Sequence, residues 1–268
     1  VRDPMVPGLP SKDLKDDEPV KRLGFTLGKG WTLKEIKRLV GRPLGVLFGV
    51  VAEGLMAELW ERCYHCPLAD EDNVKLALES GADIIYLFGW DDELLISKVR
   101  AIKGRYGDRV IIQVGRPHGP GLLTAHLKSE EFKTAKEFIK EFTKKSGKRL
   151  LSDSFIKGLI EAGADIIQLP APGAHYGWDV EGVNKLVRLV QEEGALAAVG
   201  IHTSQEGSDE ETIRRLAIYA KMTGADIYEL GDVGYAESMV PPENILAFSI
   251  AIKGRRHTYR RIATSFRK

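Results

Sequence analysis

Cysteine is nearly absent. The 268-residue sequence has two, Cys63 and Cys66, in the single motif CYHC. No second pair exists to complete a four-thiolate zinc site, so the two read as ordinary thiols on a loop or helix. Long apolar runs are missing too. The longest uncharged one, LGVLFGVVA from Leu44, is too short to span a bilayer, which argues against a membrane partner. The opening residues are polar and Pro-rich and lack the apolar core of a signal peptide, so 1–22 reads as a flexible arm and the cytoplasm is the expected location. Asn and Gln total seven against 29% charged residues, a balance that leans towards a thermophile. Several catalytic signatures are also missing: G-x-S-x-G, H-E-x-x-H and G-x-x-x-x-G-K-[ST] do not occur, and no G-x-G-x-x-G loop follows the first strand.

What is present is a regular alternation. Short apolar runs (PLGVLFGVVAE, ADIIYLFG, RVIIQVG, ADIIQLP, ALAAVGI, ADIYELG) alternate with helical patterns at roughly the spacing of βα units, which predicts a parallel sheet. The fold class expected is α/β, a TIM (β/α)8-type barrel formed by one domain over 23–268, with an open doubly wound sheet as the alternative. Six strands are clear. The stretch from Arg109 to Ala164 is too long for one unit and predicts either a further strand or a loop and helical insertion near GPGLLTAHL; an eighth strand is expected near RLGFTLG.

Gly-Ala-Asp-Ile occurs three times, at Gly81, Gly163 and Gly224. Each Gly falls at a helix end, where a left-handed residue costs little, and each Ala-Asp opens a strand. Asp83, Asp165 and Asp226 therefore belong at the bottom of the barrel, the end that carries stability rather than chemistry. The three copies diverge beyond the strand, in LFGWDD, LPAPGAHYGWD and LGDVGYAES, where function is expected.

The strand tops supply the candidates. Glu229 and Asp232 are the expected acid-base groups, with His175 and His118 moving protons. His202 is a further histidine at a strand top. Thr203, Ser204 and Gly234 are expected to bind substrate, because barrels often hold phosphate at the loops after their last two strands; Gln168, from the ADIIQLP strand, and the distant Arg116, suited to an anionic substrate, are further expected contacts. Acidic residues crowd the same loops and would repel a phosphate. A magnesium or manganese ion held by Glu206, Glu229 and Asp232 would remove that repulsion, since carboxylate oxygens suit those ions. Ser208 and Glu211 fit a capping box, and Asp70, Asp91 and Asp179 fit helix N-caps. No Lys ends a strand, which disfavours a Schiff-base aldolase.

The net charge of +1 hides an asymmetry. From Asn244 to Lys268 there are seven Lys or Arg and no acid, so the remaining residues carry a net negative charge. A basic C-terminal helix suits an anion or the acidic face of a second subunit, and a homo-oligomer is expected. Two functional readings follow. The first is a barrel enzyme acting on a small phosphorylated or carboxylated metabolite by lyase, isomerase or hydrolase chemistry. The second is a non-catalytic ligand-binding or scaffold barrel whose Arg255, Arg256, Arg260 and Arg261 meet a partner. Nucleic acid is weighted low as that partner, because no aromatic-rich RNA-binding motif occurs.

The stretches IEAGADIIQLPAPG, GIHTSQEGSDEETIRRLAIYAKMTGADI, GDVGY and PPENILAFSIAIKGRRHTYRRIA cover most of 159–262. They resemble an uncharacterised bacterial and archaeal TIM-barrel family, whose members carry the label haloacid dehalogenase-like hydrolase or are likened to phosphoenolpyruvate phosphonomutase. The resemblance implies a barrel enzyme and supplies no reaction. The family's usual IGTSQEG reads IHTSQEG here, with His202 in place of Gly. The dehalogenase label would require D-x-D-x-[TV] after a strand; DEDNV, Asp70 to Val74, fits the letters but opens a helix.

Overall fold

The computed structural model describes residues 33–52, 57, 67–116, 151–174, 177–202, 205–231 and 240–264. Helix α1 (Leu33–Val40) leads into strand β1 (Gly45–Val50). There follow α2 (Glu71–Ser80), β2 (Ile84–Gly89), α3 (Asp92–Tyr106), β3 (Ile111–Gly115), α4 (Asp153–Glu161) and β4 (Ile166–Pro170). The rest are α5 (Val180–Glu192), β5 (Leu196–Ile201), α6 (Glu210–Met222), β6 (Ile227–Leu230) and α7 (Pro242–Ala263).

Local chemistry sets most of the helix boundaries. The carboxylates of Asp70, Asp91 and Asp179 accept from the backbone N–H groups of Asn73, Leu94 and Gly182 at 2.7, 2.8 and 2.7 Å, satisfying donors that a helix start leaves unpaired. The capping box expected at Ser208 is displaced by one residue. Asp209 is the N-cap of α6, accepting from Thr212 N–H at 2.9 Å, while the Ser208 hydroxyl turns back to the Gln205 carbonyl. The carboxylate wins because a charged acceptor at the positive end of a helix is stronger than a hydroxyl. At the other end, Gly163 stops α4 with φ 107°, and the chain enters β4 three residues later.

All six strands pair in parallel and in sequence order, β1 to β6. A doubly wound sheet reverses its strand order at a switch point, so sequential order excludes it. The sheet is also curled. Strands β3 and β6 are three spacings apart, about 14 Å in a flat sheet at about 4.8 Å per strand. Yet Gln113 of β3 donates to Glu229 of β6 at 2.6 Å. Two side chains standing on a flat sheet at that separation would not converge. The helix layer closes in the same sense: Arg42, before β1, donates to the Arg261 carbonyl of α7 at 3.2 Å, joining the first and last described elements. The fold is an α/β barrel of the TIM type.

The apolar core fills the space between strands and helices. Val46, Phe48, Ile85, Leu87, Ile112, Val114, Ile167 and Leu169 all face it and are buried with Leu95, Val99, Ile156 and Val183 from the helices. Strands β3 and β4 are direct neighbours in the sheet, with Gln113 and Val114 paired to Ile166 and Ile167. The elements expected near GPGLLTAHL and RLGFTLG, and the arm over 1–22, lie outside the described residues. In α7, Gly254 leaves helical geometry (φ 80°, ψ 157°). The Ser249 and Thr258 hydroxyls then lie 3.3 Å apart, whereas nine residues of straight helix would separate them by about 13 Å. The two halves of α7 therefore fold against each other. Among the described residues no helix is long and apolar enough to cross a membrane.

Candidate functional site

Successive residues of a strand face opposite ways, so the residues between the core positions point into the barrel. The register places Tyr86 beside Gln113 and Gly200 beside Glu229. On β3 the inward pair is Gln113 and Gly115; on β4 it is Gln168 and Pro170; on β6 it is Glu229 with Gly231 just beyond the strand. His202 follows the top of β5, two residues after Gly200. One face of each strand is thus continuous hydrocarbon, and the other mixes these polar residues and glycines with apolar ones such as Leu47, Phe88, Ile166 and Ala198.

These inward side chains form a layer of two hydrogen-bonded groups. The Tyr86 hydroxyl donates to Gln168 Oε1 at 3.1 Å, and Gln168 Nε2 donates to the Leu169 carbonyl at 3.2 Å. Gln113 Nε2 donates to Glu229 Oε1 at 2.6 Å, and His202 Nε2 lies 3.2 Å from Glu229 Oε2. Both carboxylate oxygens are therefore held. The Glu229 side chain is 14% exposed and that of His202 21%. Gln113 and Gln168 are buried. The layer stands on glycine because no side chain fits beneath it. A Cβ at Gly200 would overlap His202 Nε2 and come within 2.9 Å of Gln168 Nε2. A Cβ at Gly115 would overlap the Tyr86 hydroxyl, and one at Gly231 would overlap His202 Nδ1.

Of the residues expected at the site, Glu229 and Gln168 belong to this layer. Glu206 is buried in the short turn Gln205–Gly207 above β5. That turn is pinned by buried Asn244, whose amide donates to the carbonyls of Glu206 and Ser208 at 2.9 and 2.7 Å. Arg116 is on the opposite side of the sheet. One residue beyond Gly115, it alternates outward, where its guanidinium lies 4.2 Å from the centre of the Phe155 ring and pairs with Asp92. The structure does not bring it to the polar layer. His118, His175, Thr203, Ser204, Asp232 and Gly234 lie outside the described residues, as do Cys63 and Cys66. Among the described residues no three His, Cys, Asp or Glu side chains are grouped to hold a metal ion.

Tyr86 and Gln113 were not among the expected site residues. The signal for Gln113 is a polar residue and a glycine two apart on an otherwise apolar strand: Q-x-G in IIQVG, as E-x-G in YELG and G-x-H in VGIH. Tyr86 carries a weaker version, one hydroxyl in an apolar run.

The three repeated aspartates lie at the other end. Asp83, Asp165 and Asp226 accept from the backbone N–H groups of Leu44, Ile112 and Ala197 at 2.9, 2.8 and 2.9 Å. Each also meets a side chain from helix α1, α3 or α5 in turn. Lys37 pairs with Asp83, Lys103 Nζ lies 3.0 Å from Asp165, and Gln191 Nε2 lies 3.2 Å from Asp226. They clamp strand starts and are remote in the sequence of each strand from the inward polar layer.

The whole chain, residues 1–268, matches the family described as a domain of unknown function, DUF7916, and belongs to it. The dehalogenase label is thereby not upheld, in keeping with Asp70 serving as the N-cap of α2 rather than standing at a strand top. No curated protein matches the chain. Among solved structures it is similar to a deoxyribose phosphate aldolase from Aeropyrum pernix, a protein with a tetrameric structure. The identity is 18% over 76% of this chain and 69% of that one, with a TM-score of 0.41. It is also similar to a candidate phosphonomutase from Burkholderia cenocepacia J2315, at 15% identity over 82% of this chain and 79% of that one, with a TM-score of 0.46.

Proposed function

We propose that this member of the DUF7916 family is a barrel enzyme that moves a proton on a small phosphorylated or carboxylated metabolite, with Glu229 as its acid-base group. One observation carries the reading. A carboxylate sits on the inward face of the last described strand with both oxygens held, by Gln113 and by His202. A base must be aimed before the substrate arrives, and two fixed partners aim this one. Lyase and isomerase chemistry both begin with such a transfer, and hydrolysis uses the same group to activate water. His118 and His175 remain the proposed partners in proton transfer, and Thr203, Ser204 and Gly234 the proposed contacts for the anionic end. Magnesium or manganese at Glu206, Glu229 and Asp232 is a further element of the proposal, resting on the donor chemistry of three carboxylates.

Solvent-exchange NMR tests the reading. The protein is incubated in D₂O with small hydroxy acids, keto acids and sugar phosphates, and loss of C–H signal is followed. One compound at least should exchange, and Glu229→Gln should slow it by about 10²-fold or more, the usual weight of a general base. Equal exchange in both proteins would overturn the assignment.

The scaffold alternative draws on a different observation. Arg255, Arg256, Arg260 and Arg261 are all exposed on the second half of α7. A salt-dependent nucleic-acid gel shift abolished by neutralising the four would support it, and its absence would remove RNA as the partner.

A further inference from the structure

The polar layer also constrains what can reach Glu229. Its groups are a phenol hydroxyl, two primary amides, an imidazole and one carboxylate. None of the inward-facing positions on the six described strands carries Lys or Arg. Arg116, the one guanidinium at the top of β3, turns to Phe155 and Asp92 on the helix side. Among the described residues, an anion brought into the layer would meet a carboxylate and no Lys or Arg side chain. In a confined site of low dielectric that repulsion is large. Amides, hydroxyls and imidazole instead both donate and accept, as hydroxyl and carbonyl oxygens require.

The geometry points to a substrate with two unlike ends: a polyhydroxylated or hydroxy-carbonyl end that enters the barrel against Tyr86, Gln113, Gln168, His202 and Glu229, and a charged end that stays outside this layer. The inference rests on Glu229 being the working group of the site, and it adds the polarity of the substrate that meets it. Glycine at 115, 200 and 231 fits the same picture. At these positions a Cβ would collide with Tyr86, Gln168 or His202, so glycine leaves the polar side chains the space they occupy.

Saturation-transfer NMR on the full chain, with erythritol and inorganic phosphate as separate probes, tests this. Erythritol should receive saturation, and a tenfold excess of phosphate should not displace it. Gln168→Leu and Glu229→Gln should each weaken the erythritol response about tenfold, the scale of one lost hydrogen bond to a buried group. Displacement of erythritol by phosphate in the wild-type protein would overturn the inference. So would no erythritol response, or a stronger response to ethanolamine. The wild-type arms decide the matter even if a variant fails to fold. The two proposals fail separately. Polyol binding without any C–H exchange sinks the proton transfer and keeps the polarity. C–H exchange with phosphate competing for the layer does the reverse.

Discussion

Replacing Asp165 with Ala should cost stability and leave the polar layer intact. Asp165 accepts from the Ile112 N–H at 2.8 Å, and Ile112 is fully buried in the folded chain, so truncation removes the acceptor of a backbone donor that the fold covers. A hydrogen bond to a charged group contributes about 1.5–3 kcal/mol. The ion pair with Lys103 adds less, because the Asp165 side chain is 37% exposed; a screened pair is worth about 0–1 kcal/mol. The expected loss is therefore about 2–4 kcal/mol, with the backbone bond dominant. For a chain of this size that is roughly 5–15 °C in melting temperature. Two controls separate the contributions. Asp165→Asn keeps an acceptor for the N–H and should lose about half as much. Lys103→Met keeps the stem packed across Gly163 and should lose under about 1 kcal/mol. Urea denaturation at constant m-value reads all three. A loss below about 0.5 kcal/mol in Asp165→Ala, or an equal loss in Asp165→Asn, would refute the argument. Stable variants with abolished C–H exchange would instead move Asp165 into the active site.

Gly200→Ala should fold at a cost of about 1–3 kcal/mol by denaturation, because the new methyl must displace His202 or Gln168, and should lose the erythritol response. Asn244→Ala leaves the carbonyls of Glu206 and Ser208 without their amide donor. Hydrogen exchange in residues 205–208 should quicken, and stability should fall by about 2–4 kcal/mol. The Asp209 carboxyl is held below its usual 3.8 by the Thr212 N–H and then by the Thr212 hydroxyl. A depressed folded value means that the cap stabilises α6 above the usual carboxylate range and is lost as pH falls through the folded value. The difference in melting temperature between the wild type and Asp209→Ala should be present at pH 6–7 and close in strong acid, as scanning calorimetry across pH would show.

The layout of the fold was legible in the sequence because it is written in periodicities. Apolar runs of strand length, Asp at helix starts and Gly at helix ends recur, and each corresponds to a local physical cause. Ser208 misled because a hydroxyl and a carboxylate stand side by side before α6, and composition does not rank them; the field of the helix does. Arg116 misled for another reason. Proximity to a strand top does not fix a side, and alternation from Gln113 puts residue 116 on the helix side of the sheet. Counting by twos from each polar residue would have grouped Gln113 with Gly115 and set Arg116 apart. The bond between Gln113 and Glu229 was out of reach, because it depends on how far the sheet curls, and no local pattern records that.

The three aspartates show which part of a repeated phrase matters. Their side-chain partners differ: Lys37, Lys103 and the neutral Gln191. The ion pair is therefore not what the copies have in common. The backbone bond is, at 2.9, 2.8 and 2.9 Å, each time to the start of the strand before. A backbone N–H is present whatever the neighbouring side chain, so one acceptor at one position serves every copy. A substrate offers no such constancy around the barrel. Each strand top meets a different part of it, and repetition there would be useless. The phrase recurs where the partner is the chain itself and ends where the partner is something else. On that reasoning Tyr86, Gln168 and Glu229, which differ at one shared position just past the phrase, together with Gln113 and His202, are the residues whose substitution should change binding before it changes stability.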